Sequence, residues 1–322
     1  MNNANTLVTI FGGAGFVGTQ IVQVLARRGY RIRVAVRRPD LAGHVKTLGA
    51  VGQIMPIQAN IRNAESVRRA VHGASIVINL VGIGYQRGKQ RFRAVHVQGA
   101  RNVAEAARAE GAGSLLHMSI LGADPQSKSV NARTRALGEE AVREHFPDAV
   151  IIRPSIIFGT GDGFFNLMGT LARWFPLLPL IGGDTRFQPV YVGDVADAFA
   201  AAAEGAVKTG RTYELGGPEI ETYRQLMQRV LRETHRHNPL IPVPAAIGKL
   251  MAAPFALLPF PPLVTADQVD QLQADNVVSD AAIKEKRTLA AFGVEPTPMD
   301  AILPTYLWRF RRHGQFDRQQ PA

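Results

Sequence analysis

The chain has no cysteine among its 322 residues. That excludes disulfides, a thiol nucleophile and any cysteine-ligated zinc or iron–sulfur centre, so redox chemistry would need a bound organic cofactor. No metal site is expected. Aromatic residues are scarce, at 7%, and most sit inside apolar runs and not among basic residues, which argues against a stacking surface for nucleic acid. The beginning, MNNANTLVTI, lacks the basic region and long apolar run of an export signal. Acidic residues are few beside basic ones, 26 against 37, and the formal net charge is +11. Such a surplus favours an acidic partner, an anionic membrane surface or an acidic protein face, although a generally basic solvated surface meets the same count. With 46% hydrophobic content, the chain can still bury the core of one large or two modest domains.

What is present is organised around TLVTIFGGAGFVG at 6–18. Leu7, Val8, Ile10 and Phe11 predict a buried strand, and Val17, Ile21, Val24 and Leu25 recur at helical spacing until Gly29. Glycines at 12, 15 and 18 lie between them, where the backbone must turn tightly and let a pyrophosphate reach the N–H groups of a helix start. Gly12, Gly15, Phe16, Val17 and Gly18 are therefore the candidate cradle. The next strand, 32–36, ends at Arg37-Arg38-Pro39. An acid there would hold a ribose 2′-hydroxyl, whereas arginine pairs with a 2′-phosphate. NADP(H) is favoured, with NAD(H) as the alternative and a pair of solvent-facing arginines as the plain reading.

A third strand is predicted at 53–57, followed by Asn60 and Ile61, where such folds often place an acid against the adenine amino group. Asn60 can accept that hydrogen bond. SIVINLV at 75–81 is a fourth strand, ending at Asn79, Val81 and Gly82 beneath the expected cofactor. The loop GYQRGKQRFR at 84–93 is basic and expected to be exposed, and a helix follows at 95–109. SLLHMS at 114–119 and AVIIRPSIIF at 149–158 supply two more strands, and TYELGG at 212–217 the last. The expected fold is α/β, a Rossmann-type doubly wound parallel sheet formed by 1–157 and 187–217. The rest, 158–186 and 218–322, is expected to form a smaller, mostly helical C-terminal lobe facing substrate or partner.

At the end of SLLHMS the chain resembles the extended and atypical short-chain dehydrogenase/reductase superfamily. The resemblance implies a serine there, at Ser119, and a Tyr-x-x-x-Lys pair on the next helix. The aligned segment NARTRALGEE instead carries Asn131 where tyrosine belongs and Arg135 where lysine belongs. An amide cannot act as the proton donor or acceptor that the tyrosine provides. His117, two residues before Ser119 and on the same side of the strand, is the nearest titratable group and reads as a core histidine. Arg153-Pro154 resembles the superfamily element that passes behind the nicotinamide, and Arg135 and Pro154 join the candidate cofactor contacts.

The smaller lobe holds an apolar, proline-broken stretch at 240–264, of which 250–264 carries no charge over 15 residues. That is short of a bilayer span, and its prolines forbid one straight helix. It suits lying on a membrane or partner, or simply a lobe core. A basic aromatic tail, WRFRRHGQFDR, ends the chain. The runs IIRPSIIFGTGDGFFN, FQPVYVGDVADA and DQVDQLQADNVV narrow the resemblance to the family of accessory subunits of respiratory complex I known as alpha subcomplex subunit nine, with its bacterial relatives. This resemblance implies NADPH binding in a peripheral, largely non-catalytic protein beside complex I subunits or another membrane quinone enzyme. It implies a cytoplasmic position on the inner membrane, or the matrix side if organellar. The alternative is an NADP-dependent reductase, isomerase or epimerase-like enzyme acting on an apolar or quinone-like substrate.

Overall fold

A computed structural model describes residues 3–252 and 262–314. They divide into two compact units: Met1–Pro154 with Val192–Leu215 and Ser279–Glu295, and Ser155–Tyr191 with Gly216–Val278 and Pro296–Ala322. The sequence-based division differs at 279–295, expected in the smaller lobe but lying in the first unit, and at 155–157, 187–191 and 216–217, expected with the sheet but lying in the second.

The first unit is built on a parallel sheet. Strands β1 (Leu7–Phe11), β2 (Arg31–Val36), β3 (Ile54–Gln58), β4 (Ile76–Asn79), β5 (Ser114–Met118) and β6 (Val150–Pro154) are joined by helices α1 (Phe16–Arg27), α2 (Ala64–Val71), α3 (Gly99–Ala109) and α4 (Val130–His145). The short strands β7 (Ile157–Phe158), β8 (Leu178–Leu180), β9 (Arg186–Phe187) and β10 (Val190–Tyr191) and helix α5 (Phe164–Trp174) belong to the second unit. Helix α6 (Val192–Ala203) and strand β11 (Thr212–Leu215) then complete the first. The seven strands lie in the order β11-β6-β5-β4-β1-β2-β3, the Rossmann-type doubly wound sheet expected from the sequence. Central β1 and β4 are apolar and almost wholly buried because helices cover both faces. Pro56 is tolerated in β3 because that strand is an edge, where a missing N–H costs no ladder bond. Helix α1 packs against alanine-rich α6. Helices α2, α3 and α4 contribute Val67, Val103 and Val142 to a core that includes Phe11 and Val77.

Two predicted elements change in detail. The strand expected at 149–158 breaks after Pro154: β6 stays in the main sheet, while β7 pairs with β10 in the second unit. The break falls at Ser155, whose hydroxyl donates to the Asn276 backbone carbonyl at 3.1 Å, so the chain turns out of the ladder there. The helix expected at 95–109 opens with a π-helical turn, Arg93–Gln98, before α3 begins. Close approaches flank that turn. A Cβ on Gly138 would overlap the His96 carbonyl, and one on Gly99 would overlap the Ile61 side chain.

The second unit continues with β12 (Glu221–Thr222), α7 (Tyr223–Glu233), β13 (Leu240–Pro242), α8 (Ala245–Ala252), α9 (Ala266–Gln271) and α11 (Met299–Leu307), while α10 (Asp280–Lys284) lies in the first. Its core joins Phe158, Phe165 and Met168 to Leu226 of α7 and Leu303 and Leu307 of α11. Buried Asp162 caps α5 through the Phe165 N–H at 2.7 Å and accepts the Tyr306 hydroxyl at 2.6 Å. Thr265 and Gln268 form the capping box their spacing predicts. Much of the predicted apolar stretch, 253–261, and the end of the tail lie outside the described residues.

Candidate functional site

The strand order reverses between β1 and β4, and a cleft opens beyond the carboxyl ends of such strands. Gly12 leaves β1 with φ +82°, a conformation that disfavours any side chain, and a Cβ there would press on Leu80 and Val81 after β4 at 3.4 Å. The Gly15 N–H donates to the Gly12 carbonyl at 3.0 Å, closing the turn, and Gly15 is the exposed N-cap of α1. Phe16, Val17 and Gly18 form the first turn of the helix. Gly18 must be glycine for packing, since a Cβ would overlap the Gly12 carbonyl.

A cavity of about 670 Å³ lies against this turn, entirely within the first unit. It brings together Gly12, Gly15, Asn60, Ile61, Val81 and Gly82, six of the residues singled out from the sequence. Arg37 and Arg38 line it from the end of β2. Both are exposed, and neither has an ion-pair partner among the described residues. Arg62 and His44, which sequence reasoning did not single out, line it too, and no aspartate or glutamate does. The shape and charge fit a dinucleotide: glycine where a phosphate must approach backbone, and uncompensated cations at the end of β2.

Beside it lies a different kind of chemistry, organised by α4. Ser129 caps this helix, accepting the Ala132 N–H at 3.2 Å. Asn131, Arg135 and Glu139 then recur every four residues and are all buried. The Arg135 guanidinium lies against Gly82, where a Cβ would overlap it, and donates to the Met118 carbonyl at 3.2 Å. Burial lowers Arg135 to about 10, against the opposing charge of Glu139, so it remains a cation at neutral pH. Glu139 accepts a two-pronged bond from Arg153, at 2.8 Å to each oxygen, and a third from Arg143 at 3.1 Å. Burial would raise its carboxyl, but the Arg153 hydrogen bonds and charge outweigh that and hold it below the usual carboxylate range. Ser119 follows β5 and is buried. Pro154 ends β6, buried, with its carbonyl accepting from the Leu121 N–H at 2.9 Å, and does not border the cavity.

Two neutral histidines complete the arrangement. His117 sits opposite Asn79 across β4 and β5, and the Asn79 amide donates to its Nδ1 at 3.2 Å. Burial, with Arg135 adding repulsion, lowers its pKa to about 4. His96, on the π-helical turn, accepts the Ile83 N–H at Nε2 over 3.1 Å and meets the Thr134 hydroxyl through Nδ1 at 3.0 Å. Burial, then Arg135 and His117, lower it to about 2. Sequence reasoning missed His96, Thr134 and Glu139, although Glu139 was legible as the residue four after Arg135 on the same helical face.

The chain matches the NAD dependent epimerase/dehydratase family over residues 8–216 and belongs to it. Within that family it is similar over nearly its whole length to NADH dehydrogenase [ubiquinone] 1 alpha subcomplex subunit 9, mitochondrial, of Rattus norvegicus, at 33% identity over 327 residues covering 99% of this chain and 85% of the relative. It is also 34% identical over 223 residues to the ceramide reductase of Caulobacter vibrioides, covering 69% of this chain and 67% of that one. Among solved structures, the dTDP-glucose 4,6-dehydratase DesIV of Streptomyces venezuelae, with NAD and TYD bound, shares the fold with a TM-score of 0.73 at 18% identity, covering 96% of this chain and 98% of that chain. The cavity at the glycine turn lies where the family's nicotinamide cofactor is expected.

Proposed function

We propose that this chain is an NADPH-binding accessory or assembly protein of respiratory complex I or a related membrane quinone system, and that it performs no dehydrogenase chemistry itself. The observation that carries the reading is the fate of the catalytic helix. Asn131 offers an amide where a proton-handling tyrosine would be needed. Arg135 stays charged and is tied to the Met118 carbonyl, within reach of a buried carboxylate already claimed by two other arginines. The whole-length likeness to a complex I subunit supports the same reading. A bound nicotinamide would supply a hydride. The residues that would hold its nucleotide are Gly12 and Gly15 at the phosphates, Arg37 and Arg38 at a 2′-phosphate, and Asn60 and Ile61 at the adenine.

Peripheral attachment to the inner membrane is the second part of the proposal. No helix among the described residues is long and apolar enough to cross a membrane. The second unit exposes Trp174, Phe175, Leu177, Ile241, Ile247 and Leu250. Arg173 stacks on Trp174 at 5.7 Å, and Arg173 and Arg312 both lie near enough to Arg236 to disfavour its charge, beyond the larger effect of burial. Apolar side chains beside clustered cations suit an anionic headgroup region or an acidic subunit face. Part of the tail is committed elsewhere, since Arg309 binds Asn166 and Arg311 donates to the Glu233 carbonyl at 2.8 Å.

The alternative, a reductase or isomerase acting on an apolar substrate, is favoured by one observation, the likeness to ceramide reductase over 69% of the chain. Affinity capture from native membranes, with mass spectrometry of proteins and nucleotide, separates the two. Respiratory subunits and NADPH should come down together, and high salt or carbonate should strip the chain from membranes. A chain wholly soluble at low salt, without respiratory subunits, sinks the accessory reading. Rapid single-turnover oxidation of NADPH by a lipid or quinone acceptor, lost in Ser119→Ala, would put the enzyme in its place.

A further inference from the structure

We propose that Arg62 is a third anion-recognising arginine of the nucleotide cavity, one that determines preference for a 2′-phosphorylated nucleotide and holds the basic loop 84–93 as a wall of the site. This inference rests on the NADPH reading above and extends it to a residue outside the end of β2.

Arg62 is placed with unusual firmness for an arginine in a turn. Its own N–H donates to the Asn60 Oδ1 at 3.2 Å, and the carbonyl of Ile61 before it accepts the Asn102 amide at 2.7 Å. Asn63 after it caps α2, accepting the Ser66 N–H at 2.8 Å. The Ile61 side chain is pressed against Gly99, which has no room for a Cβ. With the backbone fixed on both sides, the side chain lines the cavity together with Arg37 and Arg38.

Its guanidinium is only partly used. Nη1 donates to the Lys89 carbonyl at 3.0 Å. Nε is buried without a hydrogen-bond partner, and no carboxylate pairs with the group among the described residues. A buried donor without a partner is costly, and such groups cluster where a ligand supplies the missing acceptor. In a cavity with no acid of its own, the acceptor that fits is an anionic oxygen, and an arginine fork suits a phosphate.

The bond to Lys89 gives the same residue a second role. Arg87 and Gln90 exchange backbone hydrogen bonds at 3.0 and 2.9 Å, and Gln90 lines the cavity. The Gln86 side chain accepts the Phe92 N–H at 3.1 Å, and Phe92 is buried. The loop is therefore a closed turn anchored at its far end by Phe92 and on the cavity side by Arg62. Arg87, Lys89, Arg91 and Arg93 remain exposed on it, so trypsin can read how firmly it is held.

The test is titration calorimetry of the full chain with NADPH and with NADH, for wild type, Arg62→Lys and Arg62→Met, alongside limited trypsin digestion. Arg62→Met should weaken NADPH binding by roughly tenfold or more while changing NADH binding by much less, since a charge-assisted hydrogen bond is lost with one ligand only. Arg62→Lys keeps the charge without the fork and should fall between. Trypsin should cut at 87–93 faster in Arg62→Met than in wild type, and NADPH should slow the wild-type cleavage alone. If wild type prefers NADPH and Arg62→Met keeps both that preference and the loop protection, this inference falls while the NADPH reading stands. Equal weakening toward the two nucleotides assigns Arg62 to the loop only and overturns the specificity claim. If wild type shows no preference, both fail.

Discussion

Arginines occur in two settings within the first unit, and the contrast separates a site from a scaffold. Around the cavity, Arg37, Arg38 and Arg62 face a space without any acidic side chain. On α4 and β6, Arg143 and Arg153 converge on one fully buried carboxylate, Glu139, with Arg135 held nearby. The side chain is the same and the accounting is opposite. Open arginines leave unmet charge for a ligand to neutralise. Paired ones use their charge to hold elements together, as Arg153 of β6 and Arg143 of α4 do on Glu139. That distinction is the one the proposed accessory reading requires, with open arginines at the cavity and paired ones tying α4 to β6.

The contrast breaks most decisively at Glu139. Glu139→Ala leaves Arg153 and Arg143 without the carboxylate they share, and breaking a buried pair by removing one partner costs about 3–5 kcal/mol. A large fall in the thermal midpoint is expected, with NADPH affinity of the folded protein changed far less than in variants of the cavity arginines. A variant as stable as wild type would show that the network is not a scaffold.

Acid sharpens the same comparison through the two buried histidines. Their folded pKa values, about 2 for His96 and about 4 for His117, lie below the unfolded value near 6.5, so the unfolded chain takes up protons first as pH falls. Stability is fully present above pH 6.5 and lost as pH drops toward the folded values, by about 2 kcal/mol per histidine at pH 5. Glu139, also depressed when folded, adds to the loss below its unfolded range. His117→Gln should flatten the dependence of unfolding free energy on pH between 6.5 and 5, whatever it does to stability at pH 8. An unchanged slope would remove His117 from this account.

How much of this was legible beforehand follows from the range of the interactions. The glycine turn, the ends of β2 and β3, and the Thr265 capping box are set by residues within a few positions of one another, and the sequence shows them directly. The replacement at 131 and 135 was visible for the same reason. Its consequence was not, because Glu139 meets Arg153 only when β6 is laid beside β5, and that pairing is a property of the sheet. His96 was hidden by the π-helical turn, which helical periodicity cannot announce. Arg62 carries no local signal of its placement, since the carbonyl next to it is fixed by Asn102, 40 positions away.

Arg37→Asp gives the smallest expected change in energy and the most direct test of the open setting. Arg37 is exposed, so the substitution empties no core and breaks no pair among the described residues, and the thermal midpoint should move little. What it alters is the charge at the end of β2, where an acid repels a 2′-phosphate and can accept from a 2′-hydroxyl. NADPH affinity measured by titration calorimetry should fall about tenfold or more, and the preference over NADH should vanish or reverse. The loss should shrink as salt rises, because an exposed charge is screened within about 8 Å at physiological ionic strength. Equal affinity of wild type for the two nucleotides would instead mean that Arg37 and Arg38 are part of a generally basic surface, and the distinction between open and paired arginines would lose its functional meaning at β2.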